Sequence, residues 1–511
     1  MRSAQKKRVS RQTSIPAPTG GLNARDPLAN MKTDEAVIMD NYFPTPSHVE
    51  TRNGCVDHAT GITGVVETIA VYNNGVQREL YAIADGDIYD ATVSGVVGAP
   101  VVAGLTNSRF QYINFGTAGG YYLMAVNGQD KMQVYTGSTW YVDGTTTTVT
   151  GFDTADAIHI NNFKNRVWFV EKDSMNAWYL PVSSIGGGAA NIDLSGIFKL
   201  GGFLMAMGNW TIDNAAGIDD YAVFITSEGE VALFKGTDPS SAATWALVGT
   251  FRMGRPLGRR CMCKAGADVL VITTDGAFPM SKALLTDRSQ TNLAATDKIS
   301  SLINTDTVRY FNHFGWQPII HPAGNKLILN VPVIEGTNSF QYVMNTQNGS
   351  WCRFLGWTAS CFEILGESIY YGTDGAVVQA DIGDRDNGTA IEGYVQQAFD
   401  FYGSRGIQKR FLMARPIVQS DGVIVPSIGI NVDFELEAKP QQPSALSAAS
   451  SLWDVSLWDV TYWATGDFIS KNWYSISGIG IAGGLNFATN IEGTKAKWIS
   501  TDVIYEVGGS L

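Results

Sequence analysis

The chain has 511 residues, so one small core is excluded and several compact units are expected. Charged residues make up only 16% while there are 55 Gly, 20 Tyr, 23 Phe and 13 Trp, a turn-rich aromatic composition that excludes a helical bundle or a doubly wound sheet. The net charge of −12 excludes a protein that coats nucleic acid over its whole surface, and a surface so poor in charge is expected to be covered in part by partner subunits.

The charge is uneven. Arg2, Lys6, Lys7, Arg8, Arg11 and Arg25 all precede the first acid, Asp26. Such a stretch is either a solvated tail or an arm that docks on an acidic partner, and the docking role is assigned to Arg2, Lys6, Lys7, Arg8 and Arg11. Residues 1–60 carry Pro16, Pro18, Gly20, Gly21, Pro27, Pro44 and Pro46, which break any long element and predict an extended docking arm. One short helix is predicted within it, with Thr33 or Asp34 as N-cap and Ala36, Val37 and Met39 facing inward.

Residues 61–384 are organised by a recurring hairpin. Apolar runs flank an acidic or amide residue plus glycine in Leu80–Tyr89, Tyr121–Tyr135, Ala222–Phe234, Val269–Phe278 and Ile369–Val378. These are strong hairpin signals, because glycine tolerates the positive φ of tight turns. The turn glycines are Gly86, Gly128, Gly229, Gly276 and Gly375, and two less regular hairpins, Arg166–Leu180 and Lys326–Met344, fall in the two long gaps. That gives about seven hairpins at a spacing of roughly 40–60 residues, the period of propeller blades. Three hairpins are followed by a tryptophan-bearing segment, Gly137–Gly144, Ala242–Gly249 and Asn348–Gly356, placed to form an outer strand whose aromatic fills the gap between blades. The glycine-rich stretch Ser183–Ala216 is read as a loop packing on a blade or on a neighbour. Arg252, Arg255, Arg259 and Arg260 make the densest basic spot outside the N-terminus, either a contact loop for DNA or an acidic face, or a solvated blade loop.

From Ala390 the rhythm stops. Strands are predicted at Ile391–Phe401 and Phe411–Val418, then a linker from Lys439 to Ser451, a five-residue repeat placing Trp453, Trp458 and Trp463, and further strands over Gly478–Val507. The expected fold is all-β: a propeller of about seven irregular blades over 61–384, and an additional β domain from residues 385–511 together with part of the N-terminal arm.

The stretch Gly20–Cys55 reads GGLNARDPLANMKTDEAVIMDNYFPTPSHVETRNGC, with a Gly-Gly-Leu-Asn entry, an Asp-Pro-Leu, an Asp-Asn-Tyr-Phe-Pro and an Arg-x-Gly before the first strand. It resembles the opening of the tail nozzle, or packaged-DNA stabilisation, proteins of short-tailed bacteriophages. Phe399–Val418, Ser451–Trp463 and Trp473–Leu485 resemble the C-terminal part of the same family. The resemblance implies a virion tail protein assembled in the bacterial host cytoplasm. It further implies a ring, usually hexameric, docked below the portal and adaptor, contacting other tail proteins or fibres, and conducting genomic DNA. Two alternatives stay open: a peripheral propeller that binds a host surface glycan, and a polysaccharide-degrading propeller enzyme.

Catalytic, cofactor and metal residues are not predicted. The five histidines, His48, His58, His159, His313 and His321, form no metal motif, and Cys261 and Cys263 lack a second ligand pair. The five cysteines do not form a disulfide framework, and neither a secretory signal nor a membrane span is read. Neither a nucleophile elbow nor a phosphate loop occurs. Asp85, Asp275 and Asp374 could supply a glycosidase pair, yet each is expected at a hairpin turn, where Asp bonds the local backbone. The Asp-rich turn Asp381–Gly388 offers oxygen ligands for calcium without a full loop signature.

Overall fold

A computed structural model of the chain describes residues 10–214, 217–283, 293–422, 424–437, 443, 446–447 and 468–510. Arg2, Lys6, Lys7, Arg8, most of the Lys439–Ser451 linker and the Trp453, Trp458 and Trp463 repeat lie outside the described residues. Strand accounts for 56% and helix for 5%, which establishes an all-β protein. The chain divides into two compact units, one of residues 57–341 and 357–380, the other of 1–56, 342–356 and 381–511.

The first unit is a β-propeller. Three of its sheets are four-stranded antiparallel meanders, beginning with Gln111–Thr117, Ala157–Phe163 and Leu204–Asn214. A three-stranded sheet begins with Met262–Ala265. A six-stranded sheet is folded about the long strand Cys55–Asn73. The second half of this strand pairs with Arg78–Ala84, and on its other side the strand neighbours Ser368–Ala380, itself paired with Cys361–Leu365. The hairpin Gln317–His321 with Lys326–Ile334 completes the set. Residues from seven inner strands (Cys55–Asn73, Gln111–Thr117, Ala157–Phe163, Leu204–Asn214, Met262–Ala265, Gln317–His321 and Cys361–Leu365) face one central cavity.

The turn chemistry explains the meanders. Asp85 and Gly86 both take positive φ, 47° and 80°, the pair that a two-residue turn needs to match the strand twist. The outer tryptophans do seal neighbouring sheets. Trp140 lies 5.1 Å from Tyr81 of the preceding sheet, and Trp245 stacks on Trp168 at 5.6 Å and on Phe234 at 5.4 Å. Burying such aromatics against each other stabilises the junction more than area alone would. The stretch from Ser183, expected as a loop, instead supplies the outer strand Ala190–Asp193 of one sheet and the inner strand Leu204–Asn214 of the next, with Leu194, Phe198 and Leu204 buried in the Trp168 cluster.

One predicted hairpin is corrected. Ile369–Val378 lies within a single strand, Ser368–Ala380, and the turn falls earlier, at Gly366 and Glu367, where Leu365 pairs with Ser368. The Asp374-Gly375 pair is therefore not a turn. The strand pairs with Cys361–Leu365 up to Gly372 and continues through Asp374-Gly375 alongside Cys55–Asn73. Helix Ser300–Tyr310, preceded by a short 3-10 turn, was not anticipated.

The second unit is a two-sheet sandwich built from the C-terminal region and the N-terminal stretch. One sheet centres on Ile407–Ser420 and Ala496–Ser510, and Ser10–Pro16 pairs antiparallel with the latter, Ser10 opposite Glu506 and Pro16 opposite Ser500. The other sheet runs Trp351–Phe354, Glu35–Asp40, Ile391–Gln397, Gly483–Glu492, Ser427–Val432. Ile15, Phe411, Ile430, Leu485, Val503 and Tyr505 fill the space between them, and Phe487 stacks on Trp498 at 4.6 Å.

Two expectations change here. The helix predicted after Asp34 is the strand Glu35–Asp40, with Ala36 and Met39 fully buried. Its ladder bonds come from Ile391–Gln397 and from a parallel partner, so tertiary pairing overrides the local helical pattern. The N-terminal stretch from Ser10 is no separate arm, since its apolar residues Ile15, Ala17 and Leu22 belong to this core. Asn348–Gly356, expected at a blade edge, falls in this unit as well.

Candidate functional site

The propeller's axis holds a lined polar cavity. Two cavities of about 480 and about 880 Å³ meet there, and Arg259 and Arg260 line both. They reach it because Leu257–Cys261 leads into the inner strand Met262–Ala265. Arg260 donates from Nη2 to Thr68 Oγ1 at 2.7 Å and to the Phe110 carbonyl at 3.1 Å. Arg259 donates to the Asn127 carbonyl at 3.3 Å. Phe314 has Arg109 over its ring at 4.4 Å and Arg260 at 5.1 Å.

The charges around this axis are not equally compensated. Arg109 bonds Glu67 and Glu335, each at 2.9 Å. Arg259 and Arg260 have no ion pair among the described residues, and burial lowers the pKa of both. Glu363, on strand Cys361–Leu365, is pushed above the usual carboxylate range by burial, against a bond from Tyr112. Burial, with the Arg259 charge nearby, pulls His159 down to about 4, and its Nδ1 is buried without a partner. At neutral pH the axis therefore carries guanidinium charge beside a neutral imidazole. Cys261 and Cys263 have their thiols pushed up to about 12 by burial, which makes them poor nucleophiles.

The basic stretch read from the sequence thus splits. Arg252 is exposed. Arg255 is paired with Glu228 and sits near the Phe311 ring, while Arg259 and Arg260 turn inward. Arg11 is exposed on strand Ser10–Pro16. Asp85 and Asp275 occupy hairpin turns as expected, and Asp374 lies within a strand. The Asp-rich turn bonds protein groups: Asp386 pairs with Arg52, and Asp381 accepts from Asn53 at 3.0 Å. Sequence reasoning missed Tyr112, His159 and Glu363 as axial residues. The available signal was a lone acid inside the apolar run Cys-Phe-Glu-Ile-Leu.

The residues that carried the family resemblance are the framework of the second unit. Asp40, 2% exposed, holds Arg353 through two bonds of 2.8 and 3.0 Å. Asn41, at φ 57°, accepts from Arg52 Nε at 2.9 Å and from the Leu355 amide at 2.7 Å. Arg52 also donates to the carbonyls of Asn53 and Leu355 and to both oxygens of Asp386. A Cβ on Gly54 would stand 1.8 Å from the Arg385 carbonyl oxygen, so only glycine fits.

Seven inner strands around one axis define a β-propeller, joined in one chain to a β-sandwich. No family model and no curated protein matches this chain. In fold it is similar to BBS1N, solved in complex with ARL6DN, with 10% identity, covering 64% of this chain and 96% of that one at a TM-score of 0.40. It is also similar to a candidate 6-phosphogluconolactonase from Bacteroides fragilis, with 14% identity, 66% and 92% coverage and a TM-score of 0.36. These likenesses concern the propeller fold alone.

Proposed function

We propose that the chain is a structural virion subunit of a short-tailed bacteriophage, a tail nozzle or tail-tube ring component. It would attach below the portal and adaptor and retain and conduct the genome, without enzymatic activity of its own. The observation that carries this reading lies in the sandwich unit. The motifs Gly20–Cys55 and Phe399–Val418 build one rigid β framework, and the strand Ala496–Ser510 extends for about 50 Å at 3.3 Å per residue. The outward side of its sheet leaves Met413, Ile469, Ile479 and Ile499 between 36% and 63% exposed. Exposed apolar side chains, one on each of four strands of this sheet, fit a surface that is covered on assembly, here by a second copy of the chain.

Function in this reading is geometric and electrostatic. Strands side by side from several copies make a wall, and the net charge of −12 disfavours phosphate-neutralising contacts that would hold passing DNA. Among the described residues no helix is long and apolar enough to cross a membrane. The test is a double variant, Met413→Lys with Ile479→Asp, mixed with purified adaptor rings. Mass measurement of the wild type should give a closed ring, and the variant should stay monomeric with an unchanged circular dichroism spectrum. A wild-type protein found at the tail periphery by imaging, or one that never associates with adaptor or itself, overturns the proposal.

A further inference from the structure

The uncompensated arginines at the propeller axis call for a partner that the chain does not supply. Two guanidinium groups adjacent in sequence line both cavities, and both residues are half-buried, so their unbonded donors face space that a ligand can enter. Arg109, the third arginine nearby, shows what compensation looks like here, with a carboxylate on each side. Arg259 has one long carbonyl contact instead, and Asp173 acts on it only through space. Arg260 has a hydroxyl and a carbonyl. Each therefore keeps unused donors of the planar fork that matches oxyanions.

The surroundings favour the same ligand. Lys264 adds a third cation to the lining of the smaller cavity, where Glu363 is the acid and burial disfavours its charged form; in the larger cavity Glu67 is taken up by Arg109, and Asp85 and Asp173 stand with Lys172. His159, on the inner strand Ala157–Phe163, places a buried ring nitrogen without a partner in the lining of the smaller cavity. The cavities are large enough for a compact molecule; inner-strand side chains line much of the smaller one, and loop residues line most of the larger.

We infer that the axial channel binds a small oxyanion, a phosphate or carboxylate group, between Arg259 and Arg260 at the waist shared by the two cavities. The bound group would accept charge-assisted hydrogen bonds from both forks and relieve their mutual repulsion. The site lies wholly within the propeller unit and does not depend on ring assembly.

The experiment is calorimetric titration of the full chain, in low-chloride buffer at neutral pH, with inorganic phosphate in one arm and citrate in the other. Saturable binding of either anion, with a melting temperature that rises with its concentration, is expected. Phosphate binding without citrate binding assigns the phosphate class, and the reverse assigns the carboxylate class. Arg259→Gln should weaken binding tenfold or more, Arg259→Lys should weaken it less, and Arg255→Gln, outside the channel, should leave it unchanged. Arg260→Gln is read only alongside circular dichroism, because Arg260 also braces Thr68 and Phe110. Failure of both anions to bind at millimolar concentration overturns the inference. So does undiminished binding in a folded Arg259→Gln variant.

Discussion

Arg52→Ala is the sharpest test of how the sandwich unit is held. The Arg52 residue is 3% exposed, and its guanidinium meets Asp386, Asn41 and two backbone carbonyls. Removing it strands the Asp386 carboxylate, whose side chain is only 17% exposed, and leaves the Leu355 and Asn53 carbonyls without that donor. Breaking one partner of a buried ion pair costs about 3–5 kcal/mol. Asn41 keeps its bond from the Leu355 amide, so the loss should stop there. Against a typical domain stability of about 5–15 kcal/mol this is a large fraction. A two-unit chain is not expected to melt in one step, so the assay is native-state amide exchange resolved by residue. Amides of 36–43 and 391–397 should exchange about 10²–10⁴ times faster in the variant, at one power of ten per 1.36 kcal/mol. Replacing both partners, as Arg52→Met with Asp386→Leu, should restore most of the protection. Acceleration below about fivefold in Arg52→Ala would refute the reasoning, since it would mean that the pair contributes less than about 1 kcal/mol.

Three further outcomes are expected. Gly54→Ala should lower the urea midpoint of the sandwich unit by the equivalent of at least about 1–3 kcal/mol, because its Cβ would overlap the Arg385 carbonyl, and an unchanged midpoint would contradict this. Trp245→Ala should cost the propeller about 3–5 kcal/mol by emptying the aromatic junction with Trp168 and Phe234, read from the loss of near-UV dichroism on heating. His159 is held neutral in the fold, near 4 against an ordinary 6.5, so the unfolded chain binds the extra proton first. The stability this gives is whole above about pH 6.5 and falls away between about 6.5 and 4. His159→Gln should flatten that part of the pH profile, and a proton NMR titration of His159 centred near 6.5 would show the premise to be wrong.

The parts legible in the sequence were those decided by a few neighbouring residues. Asp85-Gly86 makes its turn because the local backbone demands positive φ, and Trp140 and Trp245 seal blades because a large aromatic after a hairpin has few other places to go. What was misread depended on distant partners. Glu35–Asp40 carries a helical apolar spacing, yet Ile391–Gln397 pairs with it from far along the chain. Asp374-Gly375 has turn chemistry but lies in a strand held alongside Cys55–Asn73. At the axis, Arg259 and Arg260 stood out by composition. Their inward course, and their meeting with His159 and Glu363, follow from blade closure, which no local pattern encodes.

The long strand Cys55–Asn73 belongs at once to the beginning and the end of the propeller, and this sets a clock on biosynthesis. One edge of its first half stays open until Ser368–Ala380 has left the ribosome, while Gly95–Val96 pairs at the other side. At about 5–20 residues per second, the intervening roughly 300 residues occupy about 15–60 s. Ser10–Pro16 waits longer still for Ala496–Ser510. Throughout that interval a nascent chain offers a sticky strand to its neighbours on the same messenger RNA. Ribosomes spaced closely on one transcript would thus favour cross-chain pairing, and slower initiation or a holding chaperone would raise the yield of correctly closed propellers.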